Sequence, residues 1–254
     1  MGSGSSGNAS FVTSSKTRVL IDAGFSCKEI LRRLDQIGIK PDELDGVVIT
    51  HEHSDHVRGL EVLVKRLDIP VYLSRGTWEN LKNNMNNPIK NLHVFSAGNG
   101  FEIGDIGFES FSVLHDAADP VGFCFYGEGS KIGLATDLGK PTHLVRESLK
   151  GSQCLILESN HDPGMLFRGP YPWWLKQRIK GMFGHLSNED SASLLTDLIH
   201  TDLKHVVLAH ISQTNNMNDM VQLNAMKVLQ KLDCKHIELQ VALQDRSIRP
   251  IELS

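Results

Sequence analysis

A layered α/β sandwich built on mixed sheets is the expectation, because short strand-like runs alternate with helical periods while hairpin signals interrupt the alternation. Runs rich in Val, Ile and Phe, bounded by Gly, Asp or Asn, fall at 18–22, 46–50, 69–73, 108–114, 121–126, 131–136, 154–158, 205–209 and 236–241 and read as strands. Helical periods fill several of the gaps. Ser26-Cys27-Lys28-Glu29 has the form of a capping box opening a helix that stops at Gly38, and 57–67, 143–150, 173–180, 188–199 and 217–232 read as further helices. Glu128-Gly129-Ser130 is a hairpin turn, and hairpins break the strict alternation of a Rossmann-type sheet. No Pro/Gly/Ser-rich linker divides the chain internally, so residues 1–254 are expected to form one domain.

Composition narrows the function classes. With 40% hydrophobic and 22% charged residues among 254, the chain is globular rather than disordered. A net charge of −4 excludes a surface coated in basic patches, so any nucleic-acid binding has to be local or carried by bound metal. The four cysteines, Cys27, Cys124, Cys154 and Cys234, form no C-x-x-C pair, which argues against a zinc ribbon, a dithiol redox motif or a disulfide framework and for a reducing cytoplasm. No apolar run approaches the ~20 residues of a membrane span, and no secretory leader follows Met1. The twelve histidines are the entry without a bland explanation.

Three of them stand together. Residues 51–56 read His-Glu-His-Ser-Asp-His directly after the apolar run 46–50. On an extended backbone, side chains at i and i+2 point the same way, so His51 and His53 can share one metal, while Asp55 and His56 begin the next helix and offer an oxygen and a nitrogen to a second. About 0.002 occurrences of H-x-H-x-D-H are expected by chance at this composition. The position four after His51 is Asp55, so the helical H-E-x-x-H arrangement of zinc proteases is excluded.

This motif resembles the signature of the metallo-β-lactamase superfamily, and the resemblance implies a four-layer αββα sandwich and a fuller ligand set. It matches His115 to the third histidine of the first metal, Asp137 in Ala135-Thr136-Asp137-Leu138-Gly139 to a bridging aspartate, and His210 to the last histidine of the second metal. Each lies just past a predicted strand, where α/β folds gather their sites. Ser3-Gly4-Ser5-Ser6-Gly7-Asn8-Ala9, His115-Asp116-Ala117, Glu158-Ser159-Asn160-His161-Asp162 and Gly184-His185-Leu186-Ser187-Asn188-Glu189-Asp190 further resemble the YycJ/WalJ family, over nearly the whole chain. Gly184-His185-Leu186-Ser187 and Ala209-His210-Ile211-Ser212 are also similar to motifs of ribonuclease Z. The resemblance implies a dinuclear metal-dependent phosphodiesterase, a 5′-to-3′ DNA exonuclease. It also implies a strand before the Ser3-to-Gly7 loop, where only Met1 and Gly2 stand, so a truncated start or an edge covered by another strand is expected.

The site expectations follow. His51, His53 and His115 hold one metal and Asp55, His56 and His210 the other, with Asp137 bridging; all-N/O ligation suits two divalent ions, Zn or Mn. A metal-bridging hydroxide attacks phosphorus, with Asp55 orienting it or taking its proton. His185 donates to phosphate or the developing oxyanion, Asp22 accepts an N–H from a metal-bound imidazole, and Glu158 supports His185. Asn160, His161, Arg168, Lys176 and Ser187 are candidate substrate contacts, Ser187 also capping the helix from 188. The segment 168–180 mixes aromatic and basic residues of the kind that stack bases and neutralise phosphates, but the commoner fate of such Trp residues is the core, which is the expectation for Trp173 and Trp174 and for the apolar series Met217, Val221, Leu223, Met226 and Leu229. Gly2-Ser3-Gly4-Ser5-Ser6-Gly7 fits G-x-G-x-x-G without the flanking strand and helix and reads as a flexible loop. His93, His143, His161, His200, His205 and His236 have no further motif context. The rival enzyme reading is a small ester, thioester or lactam hydrolase, since fold does not fix substrate; the rival from another class is a non-catalytic metal-stabilised regulator.

Overall fold

Two mixed sheets, each built from consecutive stretches of chain, face one another in the computed structural model, which describes residues 1–253. In the first, β1 (Ser10–Thr13), β2 (Arg18–Ile21), β3 (Gly46–Val48), β4 (Val71–Ser74) and β5 (Leu92–Phe95) lie side by side in chain order, β1 antiparallel to β2 and the others parallel. The second runs in order from β6 (Gly100–Ile103) through β7 (Ile106–Ser112), β8 (Val121–Gly127), β9 (Ser130–Ala135), β10 (Cys154–Glu158) and β11 (His205–Ala209) to β12 (Glu238–Val241), antiparallel as far as β9 and parallel beyond it. The helical connection between β9 and β10 makes the switch, whereas the β8–β9 turn is the last tight hairpin. Glu128 and Gly129 have φ of 51° and 79°, the left-handed pair that a two-residue hairpin of matching twist requires.

Strand parity sorts the layers. Val19, Ile21, Val48, Phe108, Phe123 and Phe125 meet between the sheets. Leu20, Val47 and Ile49 point the other way, against α1 (Cys27–Gln36), α3 (Leu60–Leu67) and α4 (Arg75–Leu81). On the far side, Leu155, Leu157, Val206 and Leu208 pack under α5 (His143–Leu149), α8 (Asn188–Leu198) and α9 (Asn218–Lys231). The result is an αββα sandwich. The remaining helices, α2 (Ser54–Val57), α6 (Pro163–Arg168) and α7 (Trp173–Lys180), lie in the connections.

Several expectations need correction. The single helix at 57–67 is two, α2 and α3, with Gly59 between them; a Cβ there would stand 2.2 Å from the Phe25 carbonyl oxygen, so only glycine lets this turn close on the α1 entry. The capping box is half formed: Ser26 accepts from the Glu29 amide, but the Glu29 carboxylate binds Arg32 and Arg33 instead. Strands β1, β5 and β6 and helices α4 and α6 carry too short or too polar a pattern to read from periodicity. On α9 the buried stripe is Val221, Ala225 and Leu229 at i, i+4, i+8, whereas Met217, Leu223 and Met226 are exposed. Trp173 and Trp174 are exposed as well, and α7 buries no residue.

The N-terminal loop is held from several sides. Gly2 bridges Ala9 in antiparallel fashion, β1 covers the edge beside β2, and Ser6 and Gly7 are both hydrogen-bonded to Gln244. The buried Arg33 joins the chain's two ends, donating to the carbonyls of Met1 (2.7 Å) and Gln244 (2.9 Å) while stacking over Phe25. The flexible-loop reading is therefore overturned.

The two faces of this packing predict opposite outcomes. Phe123→Ala, at a fully buried ring between the sheets, should cost about 3–5 kcal/mol. Leu223→Ala, on the exposed side of α9, should stay within about 0.5 kcal/mol. Urea melts of the two variants check both.

Candidate metal centre

The functional side chains hang from strand ends. Asp22 follows β2, Asp137 lies two residues beyond β9 and His210 follows β11, and all three adopt left-handed backbone with φ of 61°, 57° and 54°. Non-glycine residues enter this region sparingly. Here it turns the chain sharply out of the sheet while the side chain stays at the strand end. His51 follows the β3 segment, His115 the β7 segment, and Glu158 is the last residue of β10. Asp55 and His56 stand in α2.

Two ligand sets emerge. The His51 Nε2 and His115 Nε2 atoms each come within 3.1–3.2 Å of His53 Nδ1, so three imidazole nitrogens converge on one point. Beside them, Asp55 Oδ2 lies 3.6 Å from His56 Nε2 and 3.5 Å from His210 Nε2. Asp137 reaches both sets. Its Oδ2 is 3.3 Å from His56 Nε2, and its Oδ1 is 3.3 Å from His210 Nε2 and 3.9 Å from His115 Nε2. His51, His53 and His115, and likewise Asp55, His56, Asp137 and His210, have donor atoms grouped closely enough to hold one ion each.

The other ring nitrogens fix the tautomers. His56 Nδ1 donates to Asp22 Oδ2 at 2.7 Å, His115 Nδ1 to the Gly184 carbonyl at 3.1 Å and His210 Nδ1 to Glu158 Oε1 at 2.8 Å, which turns each Nε2 toward the centre as the atom free to bind a cation once it carries no proton. Thr50 ties Asp22 to His51: its hydroxyl contacts the Asp22 carboxylate (2.9 Å) and His51 Nδ1 (3.0 Å). Glu158, fully buried, uses both oxygens as braces. Oε1 accepts from His210 and from His185 Nδ1 at 2.8 Å each, and Oε2 accepts from the Leu138 amide at 2.9 Å. Its reach is thus wider than support of His185 alone.

Electrostatics separates the two sets. Burial pushes His51 and His115 below the ordinary histidine range, keeping their lone pairs free of protons. Burial also pulls on His56, but Asp137 and Asp22 outweigh it and push His56 up to about 10; His210 is raised likewise by Asp137, Asp55 and Glu158. Burial would raise Asp137 and Glu158, yet the surrounding imidazoles hold Asp137 well below the carboxylate range and Glu158 down to about 2. These carboxylates therefore demand nearby positive charge. His210 Nε2 and Asp137 Oδ2 are buried without a hydrogen-bond partner among the described residues. An all-N/O donor set with orphaned buried atoms around ionised buried carboxylates fits divalent cations.

Sequence reasoning missed the clamp on the second set. Asn8 Oδ1 accepts from Ser3 Oγ (2.8 Å) and the Gly4 amide (2.9 Å), which orients the Asn8 amide nitrogen toward Asp55 Oδ2 at 3.2 Å. Ser3 Oγ also accepts from the His210 amide at 2.9 Å. Gly24 admits this approach, since a Cβ there would collide with the Asp55 carbonyl oxygen. The only sequence signal was the Ser3-to-Ala9 motif itself.

The substrate-contact candidates divide. Asn160 is buried and donates to the His210 carbonyl at 2.8 Å, so it braces the centre instead of facing a ligand. Ser187 caps α8 by accepting from the Asp190 amide at 3.0 Å. His161 is buried rather than solvated, and burial presses it down to about 4. Lys176 borders the cleft beside His185, whereas Arg168 is exposed at the end of α6, off that wall.

The profile of the Beta-lactamase superfamily domain matches residues 17–211. The chain is 38% identical over 232 residues to Exodeoxyribonuclease YycJ of Bacillus anthracis, covering 91% of this chain and 88% of that protein. It is 36% identical over 236 residues to Exodeoxyribonuclease WalJ of Streptococcus pneumoniae, covering 92% and 88%. Among solved structures, the metallo-β-lactamase fold protein YhfI of Bacillus subtilis superposes with a TM-score of 0.72 at 14% identity, covering 96% of this chain and 94% of that one. The short form of human tRNase Z gives 0.64 at 18% identity, covering 98% of each. Sequence, fold and the strand-end His/Asp sets agree: the chain belongs to the β-lactamase superfamily, in the group that includes YycJ and WalJ.

Proposed function

We propose that this protein is a dinuclear metal-dependent phosphodiesterase that removes nucleotides from DNA, working 5′ to 3′. The observation that carries the reading is the pair of ligand sets joined through Asp137, with His185 held beside them by Glu158. Relatives named as exodeoxyribonucleases, aligned over nine-tenths of the chain, supply the substrate class. His51, His53 and His115 would hold one ion, Asp55, His56 and His210 the other, and Asp137 both; zinc and manganese suit the donors. Cations held by these residues would supply hydroxide near neutral pH and neutralise phosphate oxygens.

The chain's own residues do the rest. Asp22 and Glu158 fix the rings of His56 and His210 so that Nε2 of each faces the centre. Asp55, tethered by Asn8, is placed to orient the nucleophile and take its proton. His185 gives its Nδ1–H to Glu158, and as the imidazolium it would also donate from Nε2 to a phosphate or leaving oxygen. The unpaired buried cysteines are in keeping with a cytoplasmic protein, and among the described residues no helix is long and apolar enough to cross a membrane.

Metal uptake should displace protons. His56 holds its proton up to about pH 10, so binding at neutral pH releases it, and the apparent zinc affinity should rise with pH across 6.5–9. Competition with a chromophoric chelator at several pH values checks the slope; total stoichiometry should be two. Asp22→Asn should weaken binding about 10–100-fold by loosening the His56 ring.

Labelled single- and double-stranded DNA and RNA should separate the substrate readings. Chelator-sensitive loss of DNA from the 5′ end is expected, and Asp137→Ala should abolish it. Turnover of a thioester or lactam with no cleavage of any nucleic acid would overturn the proposal.

A further inference from the structure

Past His185 the cleft opens into a cavity of about 260 Å³. Phe167 and Trp173 form one wall, and both rings are left 69% and 62% exposed. Large aromatic surface kept out of the core marks a place for a ligand when it borders an enclosed space. Lys176 and Lys180, one turn apart on α7, line the same cavity. Glu189 and Asp190, from the first turn of α8, line it as well. His161 completes the lining; it is 2% exposed, and its buried Nδ1 has no hydrogen-bond partner among the described residues.

This is a combination of planar apolar surface, nearby cations and unsaturated polar groups. A nucleobase attached to phosphate uses all three. Its faces stack on aromatic rings with little regard to sequence, the lysines meet the backbone charge, and carboxylates accept from exocyclic amino groups. Position fits as well. The His185 ring, which borders the cavity, lies 5.1 Å from the centroids of both His115 and His210. A base still paired in a duplex cannot occupy so small a space without leaving its partner.

We propose that this cavity is a nucleobase subsite: the base of the terminal nucleotide leaves its pair and stacks on Trp173 and Phe167 while its phosphate lies at His185. The enzyme thereby reads an unpaired end instead of a sequence. This rests on the phosphodiesterase reading above, and the test separates the two.

Single-stranded oligonucleotides bearing either a normal or an abasic terminal nucleotide, placed at each end in turn, provide the probe. Both kcat/KM with metal and equilibrium binding by fluorescence anisotropy in chelator are measured. Wild-type protein should favour the base-bearing end by about 10-fold or more in both readouts. Trp173→Ala should remove the preference, Trp173→Phe should keep most of it, and unchanged thermal melting is expected because the ring is exposed. If DNA is degraded with no discrimination, or if Trp173→Ala discriminates as the wild type does, the subsite is overturned and the phosphodiesterase reading stands. If DNA is neither cleaved nor bound, both fall.

Discussion

A buried carboxylate in a left-handed turn sets the terms for the whole centre. Asp137 is 2% exposed, ionised and surrounded within 4 Å by the imidazole nitrogens of His56, His115 and His210. An isolated ion so placed would be several kcal/mol too costly to keep. It is tolerated because every neighbouring histidine is itself oriented by a further acceptor: Asp22 for His56, the Gly184 carbonyl for His115, Glu158 for His210. Remove the outer acceptors and the rings could present either nitrogen, so the convergence of lone pairs would be lost. The layer behind the donor atoms is therefore as much a condition of the site as the donors are.

The sandwich exists to bring these acceptors together. Asp22 and His51 come from the first sheet; Asp137, Glu158 and His210 come from the second, on three adjacent strands, β9, β10 and β11. Parallel pairing of those three aligns their C-terminal ends, so the residues that follow emerge at one level. An antiparallel arrangement would have sent every second one to the opposite edge. The Glu128-Gly129 hairpin turns β9 back alongside β8, and the helical connection after β9 carries that direction into the parallel run.

How much of this could be read beforehand depended on distance along the chain. The H-x-H-x-D-H cluster declared itself because its geometry is local: the spacing on an extended backbone places His51 beside His53, and the 3.1 Å approach follows. Asp137 and His210 were reachable only through resemblance, since nothing in the residues around them marks a ligand. The role of Ser3 went unread even within its motif, because its partner, the His210 amide, is 207 positions away. The Trp173-Trp174 pair was misjudged for a different reason. Hydrophobicity predicts burial on average, yet both rings stand exposed on a helix that buries no residue, and composition does not reveal which apolar residues depart from the average. On α9 the error was one of period, because Leu223 lies only two residues from Val221 and so falls off its face of the helix.

Charge closes the account of recognition. With 26 basic against 30 acidic side chains, the chain as a whole does not attract a polyanion, so phosphate attraction has to be local. Attraction for a polyanion has to be concentrated where cations sit, at the ligand sets and at Lys176 and Lys180 on α7. His185 borders both: its ring lies 5.1 Å from those of His115 and His210, and it lines the same cavity as the two lysines. A site of this kind gains affinity by engaging one end of a strand closely, through stacking that is indifferent to salt, instead of by covering many phosphates. Glu189 and Asp190 strengthen the point: carboxylates beside the cavity repel any phosphate that strays from the lysines. Charges that would hinder a groove-binding nuclease are in keeping with the proposed entry of a single terminus, its base on the aromatic side of the cavity and its phosphate at His185.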